Sequence, residues 1–145
     1  KIGSYGVLAI LLITLIKWNA IITLATGKPN EIAILSIICA HSLSRFSIIV
    51  IPYFSIPASD EGLARCAGKP ETRGVIGGIL LTSFLIFLLL PFDQAILSAV
   101  LAILVAGVIG LLANFQIKGY TGDILGAAQQ VSEATVLVYL ASSSS

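Results

Sequence analysis

The amino-acid sequence predicts an all-α fold: a polytopic transmembrane helical bundle of about five spans, within one integral membrane domain over residues 1–141. Two observations carry this. The 145-residue chain is 57% hydrophobic and only 10% charged, with a mean hydropathy of +1.05, whereas a soluble domain has about a quarter of its residues charged. Its apolar residues also gather into long runs separated by short polar breaks. Eight basic and seven acidic residues nearly cancel to +1. No basic run stands beside an aromatic ladder, so no nucleic-acid partner is expected. Two cysteines, Cys39 in an apolar run and Cys66 in a polar loop, are too few for a disulfide framework and read as packing residues. The chain starts at Lys1, contains no Met and ends in Ser142–Ser145. It is expected to be part of a longer polypeptide, with the serine run as a tail outside the fold.

The first span covers Ser4 to Ala25, long enough to cross a hydrocarbon core of about 30 Å at about 1.5 Å per residue. Lys17, Trp18 and Asn19 interrupt it. Either Lys17 snorkels to the interface beside an anchoring Trp, or its ammonium faces the bundle interior as the partner of an anion or a carboxylate. Residues 26–30, with Gly27 and Pro29, form a turn. The second span, Glu31 to Ile51, carries His41, Ser42, Ser44 and Arg45. His41 and Arg45 are four apart and share a face. A guanidinium cannot shed its proton, so Arg45 needs an acidic partner, carbonyls or a polar cavity.

Pro52 to Arg73 is the one long loop, holding Asp60, Glu61, Arg65, Lys69, Glu71 and Arg73. Mixed charge of that kind suits a solvated surface, and its length suits a lid or a site. Ile76 to Pro91 gives the third span, entered through Gly74, Gly77 and Gly78, and Gln94 to Ala113 the fourth, with Gly107 and Gly110. Neither carries a charge, so both read as packing or lipid-facing helices. The fifth runs from Asp123 to Leu140, behind the polar turn Gly119-Tyr-Thr-Gly-Asp123. Thr121 or Asp123 can cap it. The helical period puts Gly126, Ala127, Gln130, Glu133 and Ala134 on one small and polar stripe, which should face protein or water.

Five alternating spans put Lys1, Arg65, Lys69, Arg73 and Lys118 on one side and Lys28 on the other. The positive-inside rule makes the first side cytoplasmic, so the long-loop acids, Arg45 and Asp123 converge at the inner face of the cytoplasmic membrane. Carboxylates there can hold Mg²⁺, and an Arg fork can take phosphate oxygens. Ion transport would use similar groups, and no nucleotide loop, zinc spacing or serine triad decides between them.

The run Gly119-Tyr-Thr-Gly-Asp-Ile-Leu-Gly-Ala-Ala128, with Glu133 beyond it, resembles the C-terminal signature of the cobalamin synthase family, the adenosylcobinamide-GDP ribazoletransferases. Lys1-Ile-Gly-Ser-Tyr-Gly6 looks like the end of that family's Asp-Ser-Arg-x-Gly-x-x-Gly segment, with Lys1 in place of Arg. Ala40-His-Ser-Leu-Ser-Arg45 resembles its Ser-Arg element, and Asp60-Glu-Gly-Leu63 its Glu-Glu-Gly-Leu loop. Lys17 falls where the family tends to keep a membrane lysine. The resemblance covers essentially the whole chain as the family's C-terminal half.

The resemblance implies attack of an α-ribazole hydroxyl, from the nucleoside or its 5′-phosphate, on the cobinamide-proximal phosphate of adenosylcobinamide-GDP. GMP leaves, with Mg²⁺ as cofactor. Carried over, Asp123 and Glu133 are the catalytic candidates. Lys17, Arg45, Thr121 and Gly122 are the phosphate-binding ones, and Glu61 and Asp123 are supporting metal ligands. The family's Asp-Gly-x-Ala-Asp-x-x-Asp-Gly metal motif is expected upstream of Lys1, and Gln130 stands where relatives commonly carry Glu. Membrane lipid is an expected partner, and a homo-oligomer stays open. Two other classes stay open: a small transporter or channel subunit using Arg45 and Glu133 as an ion relay, and a structural subunit associating through its Gly and Ala stripes.

Overall fold

The structure, a computed structural model, describes residues 3–58 and 70–143. Lys1, Asp60, Glu61, Arg65, Cys66, Lys69 and the last two serines lie outside the described residues. So do the metal expectation for Glu61, the Asp60-to-Leu63 match and three of the basic residues used to orient the chain.

Among the described residues the helices are α1 (Ser4–Gly27), α2 (Asn30–Ser44), α3 (Phe46–Phe54), α4 (Thr72–Leu89), α5 (Phe92–Ile117) and α6 (Gly122–Ser142). The pair α2 and α3 acts as a single stretch, Asn30–Phe54. This gives five segments long and apolar enough to cross a membrane. α6 is the hub, packed against α1, α2, α3 and α5, while α4 lies outside it against α2, α3 and α5.

Residue size decides what faces inward. The buried set is rich in Ala20, Ala33, Ala40, Ala95, Ala102, Ala106, Ala128 and Ala134, with Ser36, Ser44, Ser47, Ser98 and Ser132 among them. Large side chains such as Leu80, Leu81, Phe84, Leu88 and Phe115 point out. Hydrocarbon offers no hydrophobic drive between helices, so small residues that let backbones approach supply the contact instead. Several hydroxyls within the spans are satisfied locally: Thr14, Thr23, Ser42 and Thr135 each donate to the carbonyl four residues earlier at 2.8–2.9 Å, whereas the buried Ser98 and Ser132 hydroxyls have no partner among the described residues.

Several boundaries differ from the sequence expectation: the serine run is not wholly outside the fold, since Ser142 closes α6 and Ser143 accepts from Lys28, and the fourth span runs Phe92–Ile117 rather than Gln94 to Ala113. The second span does not stop before Pro52; α3 continues through that proline to Phe54. The interruption falls instead at Arg45, where Ser44 Oγ donates to the His41 carbonyl at 2.8 Å and Ser47 Oγ to the Ser44 carbonyl at 2.7 Å. The Ile48 N–H reaches the Arg45 carbonyl at 3.2 Å. These three-residue contacts compete with the regular four-residue ladder and tighten the chain there. At the other end of the long loop, α4 starts at Thr72, so Arg73 belongs to a helix rather than to the loop.

The turn before α6 is stapled to the chain that follows α3. Lys118 ends α5 in the left-handed region, φ 56°. Beyond it Tyr120 pairs in parallel with Pro57. The Ala58 N–H donates to the Tyr120 carbonyl at 2.9 Å, and the Tyr120 N–H to the Ile56 carbonyl at 3.0 Å. Asn114 Nδ2 adds a bond to Ser55 Oγ at 3.2 Å. Gly119 permits this approach, because a Cβ there would collide with the Ile56 carbonyl and sit 2.8 Å from the Ala58 nitrogen. At the opposite end of the bundle Lys28 Nζ donates to the Ser143 carbonyl at 2.8 Å, tying the end of α1 to the end of α6.

Substituting Gly119→Ala should therefore destabilise the fold by roughly 1–3 kcal/mol through overpacking against backbone. Gly126→Ala, whose added Cβ meets nothing within 4 Å, should be neutral or mildly stabilising. Thermal unfolding of both variants in one detergent checks the contrast; equal melting temperatures would refute the staple.

Candidate functional site

α6 begins with a capped turn. Thr121, in extended conformation, is the N-cap and its Oγ1 accepts from the Ile124 N–H at 3.4 Å. Of the two residues able to cap, Thr121 therefore does so. Asp123 is freed to stand in the first turn with its side chain exposed. A carboxylate suits that position, where unpaired N–H groups carry partial positive charge.

From Asp123 a groove of about 320 Å³ runs between α6 and α1, lined by Asp123, Gly126, Ala127, Gln130 and Val131 on one side and Ala9, Ile10 and Ile13 on the other. Gly126, Ala127 and Gln130 of the predicted stripe are exposed to it, whereas Glu133 and Ala134 turn inward and are buried. The stripe thus splits between a groove wall and the bundle core.

At the deeper end, α1 and α2 each deliver a polar group to one carboxylate of α6. Lys17 Nζ of α1 lies 2.8 Å from Glu133 Oε1 and donates to Gln130 Oε1 at 3.0 Å. His41 Nδ1 of α2 is 3.5 Å from the same Glu133 oxygen. The side chains of Lys17 and Glu133 are 20% and 9% exposed, so the pair is largely removed from solvent, while that of His41 is half open at 52%. Glu133 Oε2 is buried without a hydrogen-bond partner and so remains an unused acceptor. Of the two accounts of Lys17, the structure has the inward-facing one.

Contacts at this cluster fix the depths of the other candidates. His41 pairs with Glu133 between antiparallel helices, so Arg45 lies one turn, about 6 Å, nearer the Thr121 end, and Asp123 about 15 Å nearer it. Both side chains are exposed and neither has a polar partner among the described residues. Arg45 sits at the break between α2 and α3. Among the described residues Glu133 goes to Lys17 and His41 rather than to Arg45, so a relay pairing Arg45 with Glu133 has no contact behind it.

Of the residues the sequence singles out, Lys17 and Glu133 meet directly, Asp123 lines the groove, Thr121 and Gly122 form its capped entry, Arg45 touches none of them among the described residues, and Glu61 lies outside the described residues. His41 and Gln130 were not among the proposed site residues, yet both join the Glu133 cluster. A signal for the central pair was present: a lone cation and a lone anion, each near the middle of an apolar span, have strong reason to meet.

The pair sets a stability test. Lys17→Met or Glu133→Gln alone should each cost about 3–5 kcal/mol by stranding a buried charge, and the double variant should cost well under their sum. A double-mutant cycle on unfolding in detergent measures this; strict additivity would rule the coupling out.

Residues 1–141 match the family of cobalamin-5-phosphate synthases. Among similar proteins are the adenosylcobinamide-GDP ribazoletransferases of Shewanella pealeana, 36% identical over 97% of this chain and 54% of that protein, and of Mesorhizobium japonicum, 36% identical over 95% and 52%. The Bradyrhizobium diazoefficiens protein of the same name is 31% identical over 97% and 53%. The chain spans about half the length of the curated relatives it matches. No solved structure matches it. With its whole helical length aligned and the Thr-Gly-Asp turn opening the hub helix, the chain belongs to the cobalamin-5-phosphate synthase family.

Proposed function

We propose that the chain contributes the groove along α6 to an adenosylcobinamide-GDP ribazoletransferase. That enzyme would join α-ribazole, or its 5′-phosphate, to the cobinamide phosphate and release GMP. The observation that carries the reading is the Thr121-Gly122-Asp123 turn. It opens α6 onto free backbone N–H groups and sets an unpaired carboxylate at the mouth of a groove. Family membership supplies the reaction type.

In this reading Asp123 takes the proton of the attacking ribazole hydroxyl as its oxygen bonds to the cobinamide-proximal phosphorus. The phosphorus–oxygen bond to GMP breaks, and GMP leaves with the electron pair. The start of α6 faces the phosphates, where N–H groups and dipole favour anions. A side chain at Gly122 would meet no atom within 4 Å, so a phosphate has room to approach. Arg45, without a polar partner among the described residues and one turn nearer the Thr121 end than the Glu133 cluster, offers its planar fork to phosphate oxygens. Lys17 gives two of its three ammonium donors to Glu133 and Gln130 and keeps one for a phosphate oxygen. Glu133 we assign to holding Lys17 and His41 in place.

Mg²⁺ would neutralise charge on the transferring phosphates. The described residues do not fit a magnesium site by themselves, because no three His, Cys, Asp or Glu residues cluster among them. Asp123 is the lone carboxylate on the groove, and Glu61 lies outside the described residues. The steps above therefore run on the chain's own side chains. We place the Thr121 end at the cytoplasmic face of the cytoplasmic membrane, since Arg73 and Lys118 lie at that end and Lys28 at the other.

In a full-length family protein carrying this sequence, Asp123→Asn should lower cobalamin formation by about 100-fold or more, with membrane insertion unchanged. Product formation by isolated membranes from adenosylcobinamide-GDP and α-ribazole decides it; turnover near that of the unaltered protein would remove Asp123 from the site.

A further inference from the structure

The end of the bundle away from Thr121 holds a second cavity that the transfer reaction does not use. It measures about 530 Å³ and lies where α1 turns into α2 and α4 into α5. One cation and one anion line it, Lys28 and Asp93, and its walls include Ile32, Leu35, Leu89 and Leu90. The two charges form no ion pair with each other among the described residues. Lys28 gives its ammonium to the Ser143 carbonyl at 2.8 Å and, at 3.4 Å, to the Ser143 hydroxyl. An ammonium has three donors, so at least one remains for a ligand. Asp93 is exposed in the first turn of α5 and has no hydrogen bond or ion pair among the described residues.

Depth narrows the occupant. Both turns mark the ends of membrane-length helices, so the two charges stand at headgroup level while the Leu and Ile walls lie toward the hydrocarbon. A ligand that fits has an anionic group for Lys28, a cationic group for Asp93 and an acyl chain for the walls. That is a zwitterionic phospholipid.

The anion of the cavity refines this further. A headgroup carrying only negative charge meets repulsion from Asp93. A quaternary ammonium satisfies the charge of Asp93 but has no N–H to donate to its oxygens. A primary ammonium does both. We propose that this cavity binds one phospholipid with an ethanolamine-type headgroup, its phosphodiester on Lys28 and its ammonium on Asp93, in the leaflet away from the Thr121 turn. The site is independent of the transferase reading, since none of its residues lines the α6 groove.

The test uses the purified chain in detergent, titrated with short-chain phosphatidylethanolamine, phosphatidylcholine and phosphatidylglycerol and followed by native mass spectrometry. The ethanolamine lipid should bind about 10-fold more tightly than either of the others, the worth of one charge-assisted hydrogen bond. Asp93→Asn should abolish the preference over choline and strengthen glycerol-lipid binding, while Lys28→Gln should weaken all three. If Lys28→Gln fails to fold because its tie to Ser143 is lost, Asp93→Asn alone decides. An unchanged lipid order in Asp93→Asn would overturn the proposal, as would glycerol lipid binding best to the unaltered chain or a folded Lys28→Gln protein binding all three normally. Free phosphoethanolamine binding as tightly as the lipid would overturn it too, since the apolar walls would then contribute nothing.

Discussion

The arrangement of this bundle depends on where two opposite charges can survive in hydrocarbon. Lys17 and Glu133 sit near the middle of α1 and α6, both long and apolar enough to cross a membrane. Left unpaired, each would carry a large desolvation cost; brought to 2.8 Å, each provides the other's counter-ion. Gln130 and His41 then fill in around them. Buried Ala and Ser residues let the backbones close around that contact but do not choose a register; the ion pair does.

This explains how the groove comes to exist. With Glu133 drawn into the core by Lys17, the preceding turns of α6 present Gln130, Ala127, Gly126 and Asp123 beside α1. Small residues leave the space, and the Thr121 cap holds the helix start open to it. The staple between Tyr120 and the Ile56–Ala58 segment keeps that start from drifting. One helix thus serves two ends: its second half secures the bundle, and its start lines the groove.

Much of this was legible in the sequence because hydropathy and period are local signals. The five spans, the capped turn and the polar stripe follow from composition along one stretch at a time. What was not legible depends on contacts between distant segments. Lys17 and Gln130 are 113 positions apart, and choosing between a snorkelling and an inward lysine required knowing that α1 lies parallel to α6. The break at Arg45 was hidden because Pro52 was the more obvious helix breaker, while the serine hydroxyls at positions 44 and 47 act through backbone carbonyls. Gly119 read as a turn residue; its collision partner lies in a segment some sixty residues earlier.

The two ties between α1 and α6 have a mechanical corollary. Lys17 holds the helices together at mid-height and Lys28 holds them at the far tip, with no comparable clasp beside Ala9 or Ile10 among the described residues. Like the arms of a peg sprung at one end, they can spread only at the Thr121 mouth. The gap between them is therefore freest to vary beside Ala9 and Ile10, and least at Lys17.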